Sequence, residues 1–207
     1  MKDELLFFGA EAEIHQTVFL GLPAAYKKRI LKNYREKKLD DKIRFQRMQT
    51  EVNLLHKAKA AGVRTPVVYG VDKKNAGFWM EFLAGKRLKD ELNKKKPRLS
   101  GFALCSRAGE MIAFLHQKGL VHGDLTTSNF MASQNELVLF DFGLGFFSEK
   151  TEDLATDLLN LKKTFGATHP DREKEWEKLL DSYQKNFVSG KKVVGQLAKI
   201  ESRGRYY

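Results

Sequence analysis

His122-Gly123-Asp124-Leu125-Thr126-Thr127-Ser128-Asn129, followed twelve residues after Asn129 by Asp141-Phe142-Gly143, is the stretch that decides how this chain is built. It sets two carboxylates and an amide at fixed separations, and an apolar run, Leu137 to Phe140, leads into the second carboxylate. Phosphoryl transfer from ATP asks little covalent chemistry of a protein. It needs a carboxylate that orients the attacking hydroxyl and accepts its proton, and oxygen ligands that hold a divalent cation against the phosphates. Asp124 offers the first carboxylate and Asn129 one metal ligand; Asp141 offers the second. An isolated Asp-Phe-Gly would be an ordinary turn. Both motifs together, on a helix-loop-strand-loop frame, point to phosphoryl transfer. His122 is expected to support the loop through its ring and backbone, without proton chemistry.

Before the loop, Ser100 stands where a helix would be capped, and Leu104, Ala108, Met111, Ile112 and Leu115 form one apolar face ending near Lys118-Gly119. After it, Asn129 to Ala132 and Glu136 to Phe140 are predicted strands about a Ser133-Gln134-Asn135 turn. Thr151 to Phe165 and Arg172 to Phe187 are predicted helices. Asp157 shares a helical face with Leu154, Leu158 and Leu161, so its carboxylate is buried. Backbone N–H groups of the loop are its expected donors, a scaffold role.

The first third differs. Val67 to Val71 and Phe78 to Leu83 are strand-like, and one helix between Asp41 and Ala61 presents Met48, Val52 and Leu55 with Glu51 on the same side. An inward acid needs a partner. Lys27, in Ala25-Tyr26-Lys27, is the candidate, and it would hold the α- and β-phosphates of ATP. Lys28 points the other way if that segment is a strand. Met80-Glu81-Phe82-Leu83 ends the last strand, where backbone groups of Glu81 and Leu83 could hydrogen-bond adenine. No Gly-x-Gly-x-x-Gly precedes Lys27; Gly9-Ala10-Glu11-Ala12 is the nearest turn that could cover the phosphates. Strands with one helix, then mainly helices, resemble the bilobal protein-kinase-like fold, α+β in class and minimal in size. The β-rich N-lobe would span residues 1–83 and the mainly helical C-lobe 84–207.

Composition bounds the rest. No apolar run approaches the ~18 residues of a membrane span, so no membrane role is expected. The single cysteine, Cys105, excludes an internal disulfide and suits a reducing, cytoplasmic location; on the face of Leu104 it is a core residue. The other histidines lack metal-ligand spacing and are expected to be ordinary. The formal charge of +11 is uneven. Residues 27–47 hold ten Lys or Arg against three acids, and residues 190–207 hold five against one. Such patches either attract a polyanion or form a solvated face.

Absences narrow the class. Gly123 stands where many kinases carry an arginine that binds a phosphate on the activation segment, and Thr126 where many protein kinases carry a lysine. Only 16 residues separate Asp141 from Asp157, too few for a normal activation segment. The chain resembles the small atypical kinase/ATPase subunit of the KEOPS (EKC) complex. The resemblance is carried by Gly9-Ala10-Glu11-Ala12, Lys27-Lys28-Arg29 with Lys32 and Tyr34-Arg35, Leu39-Asp40, the loop from His122 to Asn129, and Asp141-Phe142-Gly143-Leu144-Gly145. Glu152-Asp153, Asp157-Leu158, Thr168-His169-Pro170 and the terminal Arg203-Gly204-Arg205 continue it. It implies ATP with Mg²⁺ (Mn²⁺ as a substitute), ATP hydrolysis and autophosphorylation on serine or threonine, and support of threonylcarbamoylation of adenosine 37 in tRNA. It also implies a threonylcarbamoyl-transferase partner, a second partner on the small lobe, tRNA nearby, and Arg203 and Arg205 in a docking tail. If the source is eukaryotic, the nucleus joins the cytoplasm as a location. Tyr26, in place of a small aliphatic residue, and the Tyr206-Tyr207 end depart from the family pattern. The rival readings are a small-molecule phosphotransferase of the aminoglycoside or choline kinase type and a catalytically silent binding module. Residues 84–100 are too few to build the first one's acceptor pocket. Against the second stand Lys27, Asp124, Asn129 and Asp141, all present.

Overall fold

In the computed structural model, which describes residues 4–94, 100–133 and 136–204, alternation along one strand sets the first layer. Strands β1 (Glu4–Phe8), β2 (Ala12–Phe19) and β3 (Leu22–Arg29) form an antiparallel meander. Helix α1 (Lys37–Ala60) follows, and then the hairpin β4 (Val68–Asp72) and β5 (Gly77–Glu81). β5 pairs with β3, placing Lys27 opposite Phe78 and Ala25 opposite Met80, in the order β1-β2-β3-β5-β4. Period two turns Ala25, Lys27 and Arg29 to the buried face, where Glu51 of α1 meets Lys27 and Arg29.

The second half is built on α3 (Gly101–Gln117), reached through β6 (Gly85–Arg87) and the short α2 (Leu88–Leu92). Then come β7 (Leu120–Val121), a 3-10 turn at Thr127–Asn129, β8 (Phe130–Ser133), β9 (Glu136–Leu139) and β10 (Phe146–Phe147). Helices α4 (Thr151–Thr168), α5 (Glu173–Asn186) and α6 (Gly190–Gly204) complete it. α5 packs along α3 and α6 along α4, while β6, β8 and β9 make a small antiparallel sheet under the loop from His122 to Asn129. Leu104, Cys105, Ala108, Met111, Ile112 and Leu115 of α3 are in the core, and burial pushes the Cys105 thiol up to about 12.

The α+β architecture is the one expected, with differences of detail. α1 begins at Lys37, four residues before Asp41, because its first turn is held by charge and not by apolar periodicity. Asp40 in that turn accepts from Arg44 Nε at 2.8 Å and complements the helix dipole. Ser100 occupies the N-cap position of α3, but its hydroxyl makes no capping bond. α2, too short to show a period, is anchored by Leu88 and Leu92 within what reads as a lysine-rich connection. The chain end, expected as a basic docking tail, is helix α6 down to Gly204, with Val193 and Leu197 buried. Gln134 and Asn135 of the expected turn, and residues 95–99, lie outside the described residues. Among the described residues no helix is long and apolar enough to cross a membrane.

The basic stretch 27–47 is not the open patch its charge suggests. Lys27 and Arg29 are buried, and Lys28, Arg35, Lys37, Arg44 and Arg47 are paired with Glu13, Asp40, Asp41 or Glu11. Its net charge therefore overstates the free cations it offers to a polyanion.

Candidate active site

β3 delivers Lys27 to the gap between α1 and the segment after β9. Its Nζ donates to Glu51 Oε1 at 2.5 Å and to Asp141 Oδ1 at 2.7 Å, with the side chain 5 % exposed. Burial pulls the Lys27 ammonium down, but Glu51, then Asp141, outweigh it and hold its pKa above the ordinary lysine value. Burial pushes the Asp141 carboxyl up, and Lys27 overcomes that to hold it below the usual carboxylate range. Both groups are thus ionised across the neutral range. Lys28, on the other face, lies 3.3 Å from Glu13 with a side chain 39 % exposed. Asp141 itself has φ +66°, a left-handed conformation that costs a residue with a Cβ about 1 kcal/mol.

The loop before it is held from below. Asp157 on α4 accepts from the His122 N–H at 2.8 Å through Oδ2 and from the Gly123 N–H at 2.9 Å through Oδ1. Gly123 has φ +79°, and a Cβ there would sit 2.2 Å from the Leu144 carbonyl oxygen, so no side chain, arginine included, fits that backbone. The His122 ring donates from Nε2 to the Phe140 carbonyl at 3.1 Å and accepts the Asp124 N–H on Nδ1 at 3.3 Å. Asn129 donates its amide to the Asp124 carbonyl oxygen (2.8 Å) and to Asp124 Oδ2 (3.1 Å), fixing that carboxylate and keeping its own Oδ1 for a cation.

Beside these groups lies a mainly apolar cavity of about 170 Å³ lined by Ile14, Ala25, Met80, Leu83, Met131 and Phe140 among others. Glu81 is less available than expected. Its N–H donates to the Val67 carbonyl at 2.8 Å and its carboxylate is clamped by Arg64 at 2.5 Å, so only its carbonyl is left to face a ligand. The Gly9–Ala12 turn closes on itself through Gly9 N–H to Ala12 O at 3.0 Å. Lys32 donates to the Ala10 carbonyl and Arg47 pairs with Glu11, bracing the turn toward α1. None of the four lines the cavity. Among the described residues Arg203 pairs with Glu152, at 3.8 Å and well exposed, and Arg205 lies outside them.

Two histidines expected to be ordinary are structural. His116 on α3 lies between Tyr183 Oη, 2.8 Å from Nδ1, and Asp157 Oδ2, 3.3 Å from Nε2, tying the loop's anchor to α5. His169, at the end of α4, joins Thr127 of the loop (3.2 Å) to Asn93 after α2 (2.7 Å). Burial first, then Arg172 and Lys89, lowers its pKa. Arg29 is the third residue not anticipated; its Nη2 donates to Glu51 Oε2 at 2.5 Å. Two of the three carried a signal. Arg29 is two residues from Lys27 on one strand, and His116 is four after Ile112 on an apolar helix face.

A protein kinase domain matches residues 17–169. KEOPS complex subunit Bud32 of Pyrococcus abyssi is 37 % identical over 212 residues, covering 98 % of this chain and 96 % of the relative. EKC/KEOPS complex subunit bud32 of Dictyostelium discoideum is 37 % identical over 207 residues, covering 97 % and 82 %. The chain belongs to the Bud32 family of protein kinase domains. The probable bifunctional tRNA threonylcarbamoyladenosine biosynthesis protein of Methanothermobacter thermautotrophicus is 39 % identical over this entire chain, which spans 37 % of that longer protein. A Bud32-type kinase domain is a phosphotransferase scaffold that uses ATP with a divalent metal. The donors fit. Among the described residues no three His, Cys, Asp or Glu cluster into a metal cage. Asp141 and Asn129 would instead offer hard oxygens, the donor type that suits a divalent cation used with ATP.

Proposed function

We propose that this chain binds Mg-ATP, hydrolyses it and phosphorylates serine or threonine hydroxyls, its own included, as the kinase/ATPase subunit of a KEOPS complex supporting tRNA threonylcarbamoyladenosine formation. One observation carries the reading. Lys27, Glu51 and Asp141, separated by up to 114 residues in sequence, meet at 2.5 and 2.7 Å beside a mainly apolar cavity. Bound magnesium would neutralise charge on the phosphates. Lys27 holds the phosphates, Asp141 and Asn129 hold the metal, and Asp124 orients the hydroxyl or water and accepts its proton. The Glu81 carbonyl and Leu83 N–H face the adenine edge. Gly123 and the short 141–157 segment favour a substrate presented by an assembly over a free peptide.

The role in a complex rests on the likeness to KEOPS subunits of other organisms. The transferase, a small-lobe partner and tRNA are the proposed neighbours, in the cytoplasm. The test is ATP turnover by the chain alone, then with transferase and tRNA. Asp141→Ala should abolish it, and Asp124→Asn should lower kcat about 10²-fold or more with the fold intact. Turnover that survives Asp141→Ala would end this reading.

A further inference from the structure

Glu51 is bonded by two cations. Lys27 takes Oε1 and Arg29 takes Oε2, each at 2.5 Å, and both cations are at least nine-tenths buried. With Asp141 they make a charge-balanced group of two cations and two carboxylates. Arg29 also reaches the metal-ligand segment. A Cβ on Gly143 would lie 3.0 Å from Arg29 Nη2 and 3.5 Å from Nη1, so the guanidinium lies close against the Gly143 backbone, two residues past Asp141. One side chain therefore touches α1, through Glu51, and the stretch that carries Asp141. Its Nε, buried, has no hydrogen-bond partner among the described residues.

In protein kinases the lysine–glutamate pair and the metal-binding aspartate must both be in place. Helix positioning and activation-segment phosphorylation control that. Here Gly123 leaves no arginine to read such a phosphate, yet the pair is assembled. We propose that Arg29 is the positioning residue that keeps it so. It holds Glu51 toward Lys27 and braces Gly143, leaving Lys27 free to bond Asp141 and the phosphates. The guanidinium suits this role because it carries several donors on one rigid plane, so Nη2 bonds the Glu51 carboxylate while the same group lies close to Gly143; a lysine at the same place is a point charge and does only the first. The inference rests on the nucleotide-site reading above and adds a residue to it.

The experiment measures binding, not turnover. Affinities for adenosine and for Mg²⁺ with a non-hydrolysable ATP analogue are compared in the parent chain, Arg29→Met and Arg29→Lys, with hydrogen exchange across α1. Adenosine touches only the cavity, which Arg29 does not line. Arg29→Met is expected to weaken the analogue at least tenfold and adenosine less than twofold, with faster exchange around Glu51. Arg29→Lys should recover part of the loss. Analogue affinity within twofold of the parent in Arg29→Met overturns the proposal, and so does equal weakening of both ligands, which marks a merely structural role. If Arg29→Met does not fold, Arg29→Lys is held to the same standard: analogue weakened several-fold with adenosine retained supports it, and no difference overturns it. A parent chain that binds neither ligand overturns the nucleotide-site reading as well.

Discussion

Replacing Lys27 and Lys28 in turn with methionine separates two adjacent lysines that sequence treats almost alike. Lys27→Met removes the charge-assisted hydrogen bond to Glu51, which is 1 % exposed, and the one to Asp141, whose side chain is 44 % exposed. The Glu51 bond is worth about 1.5–3 kcal/mol. Arg29 remains on the other oxygen, so no carboxylate is stranded, and the exposed Asp141 turns to water at little cost. A net loss of ~2 kcal/mol follows, which lowers Tm by about 4–8 °C for a domain of this size. Function suffers far more. Losing a fixed positive group aimed at the phosphates costs about 10²–10³ in kcat. Lys28→Met breaks only a half-exposed pair with Glu13 and should cost under about 1 kcal/mol and less than twofold in turnover. The assay is ATP turnover at saturating nucleotide beside a thermal melt of each variant. If Lys28→Met is the inactive one, or Lys27→Met keeps a tenth of parental turnover, the face assignment along β3 is refuted.

Ser148 donates to Asp153 and accepts the Lys150 N–H at the start of α4; Ser148→Ala should therefore cost about 1 kcal/mol of stability but keep turnover within twofold, as should Thr151→Ala. A tenfold turnover loss in either, with circular dichroism unchanged, would show that phosphorylation in 141–157 matters. His169 is held neutral in the fold, so the unfolded chain takes a proton at higher pH than the folded one. Stability should fall as pH drops through about 6.5, and His169→Gln should flatten that part of a urea-denaturation series; an unchanged slope refutes the assignment. Deleting Ser202 to Tyr207 keeps Val193, Leu197 and the Lys162–Glu201 pair, so Tm should hardly move. In the reconstituted complex the same deletion should reduce tRNA-stimulated ATP turnover at low salt, the gap narrowing as salt rises. Equal stimulation at low salt would leave the tail no role in RNA contact.

The loop from His122 to Asn129 marked a kinase domain in the sequence because phosphoryl transfer needs fixed residue types at fixed spacing, and the inward Glu51 was legible because an acid on an apolar helix face demands a cation. Lys27 followed from strand alternation. What stayed hidden was long-range or short. The chain from Asp157 through His116 to Tyr183 joins residues 41 and 67 apart, a separation no local period encodes. α2 is shorter than two helical turns, and α6 hides Val193 and Leu197 among lysines and glycines. Charge counting left the basic run open between a polyanion site and a solvated face because it ignores partners: Asp40 pairs with Arg35 just before α1, and Asp40 and Asp41 pair with Arg44 one turn later.

Gly123 has a consequence for how such a domain can come under control. Installing the arginine of phosphorylation-gated kinases would need the Leu144 backbone to retreat and the loop to leave its left-handed turn, two changes that are each damaging without the other. No single substitution opens that route. A phosphate read by an arginine at this loop is therefore closed to the domain as an input, which leaves α1 and residues 141–157 as surfaces where a bound neighbour could act in its place.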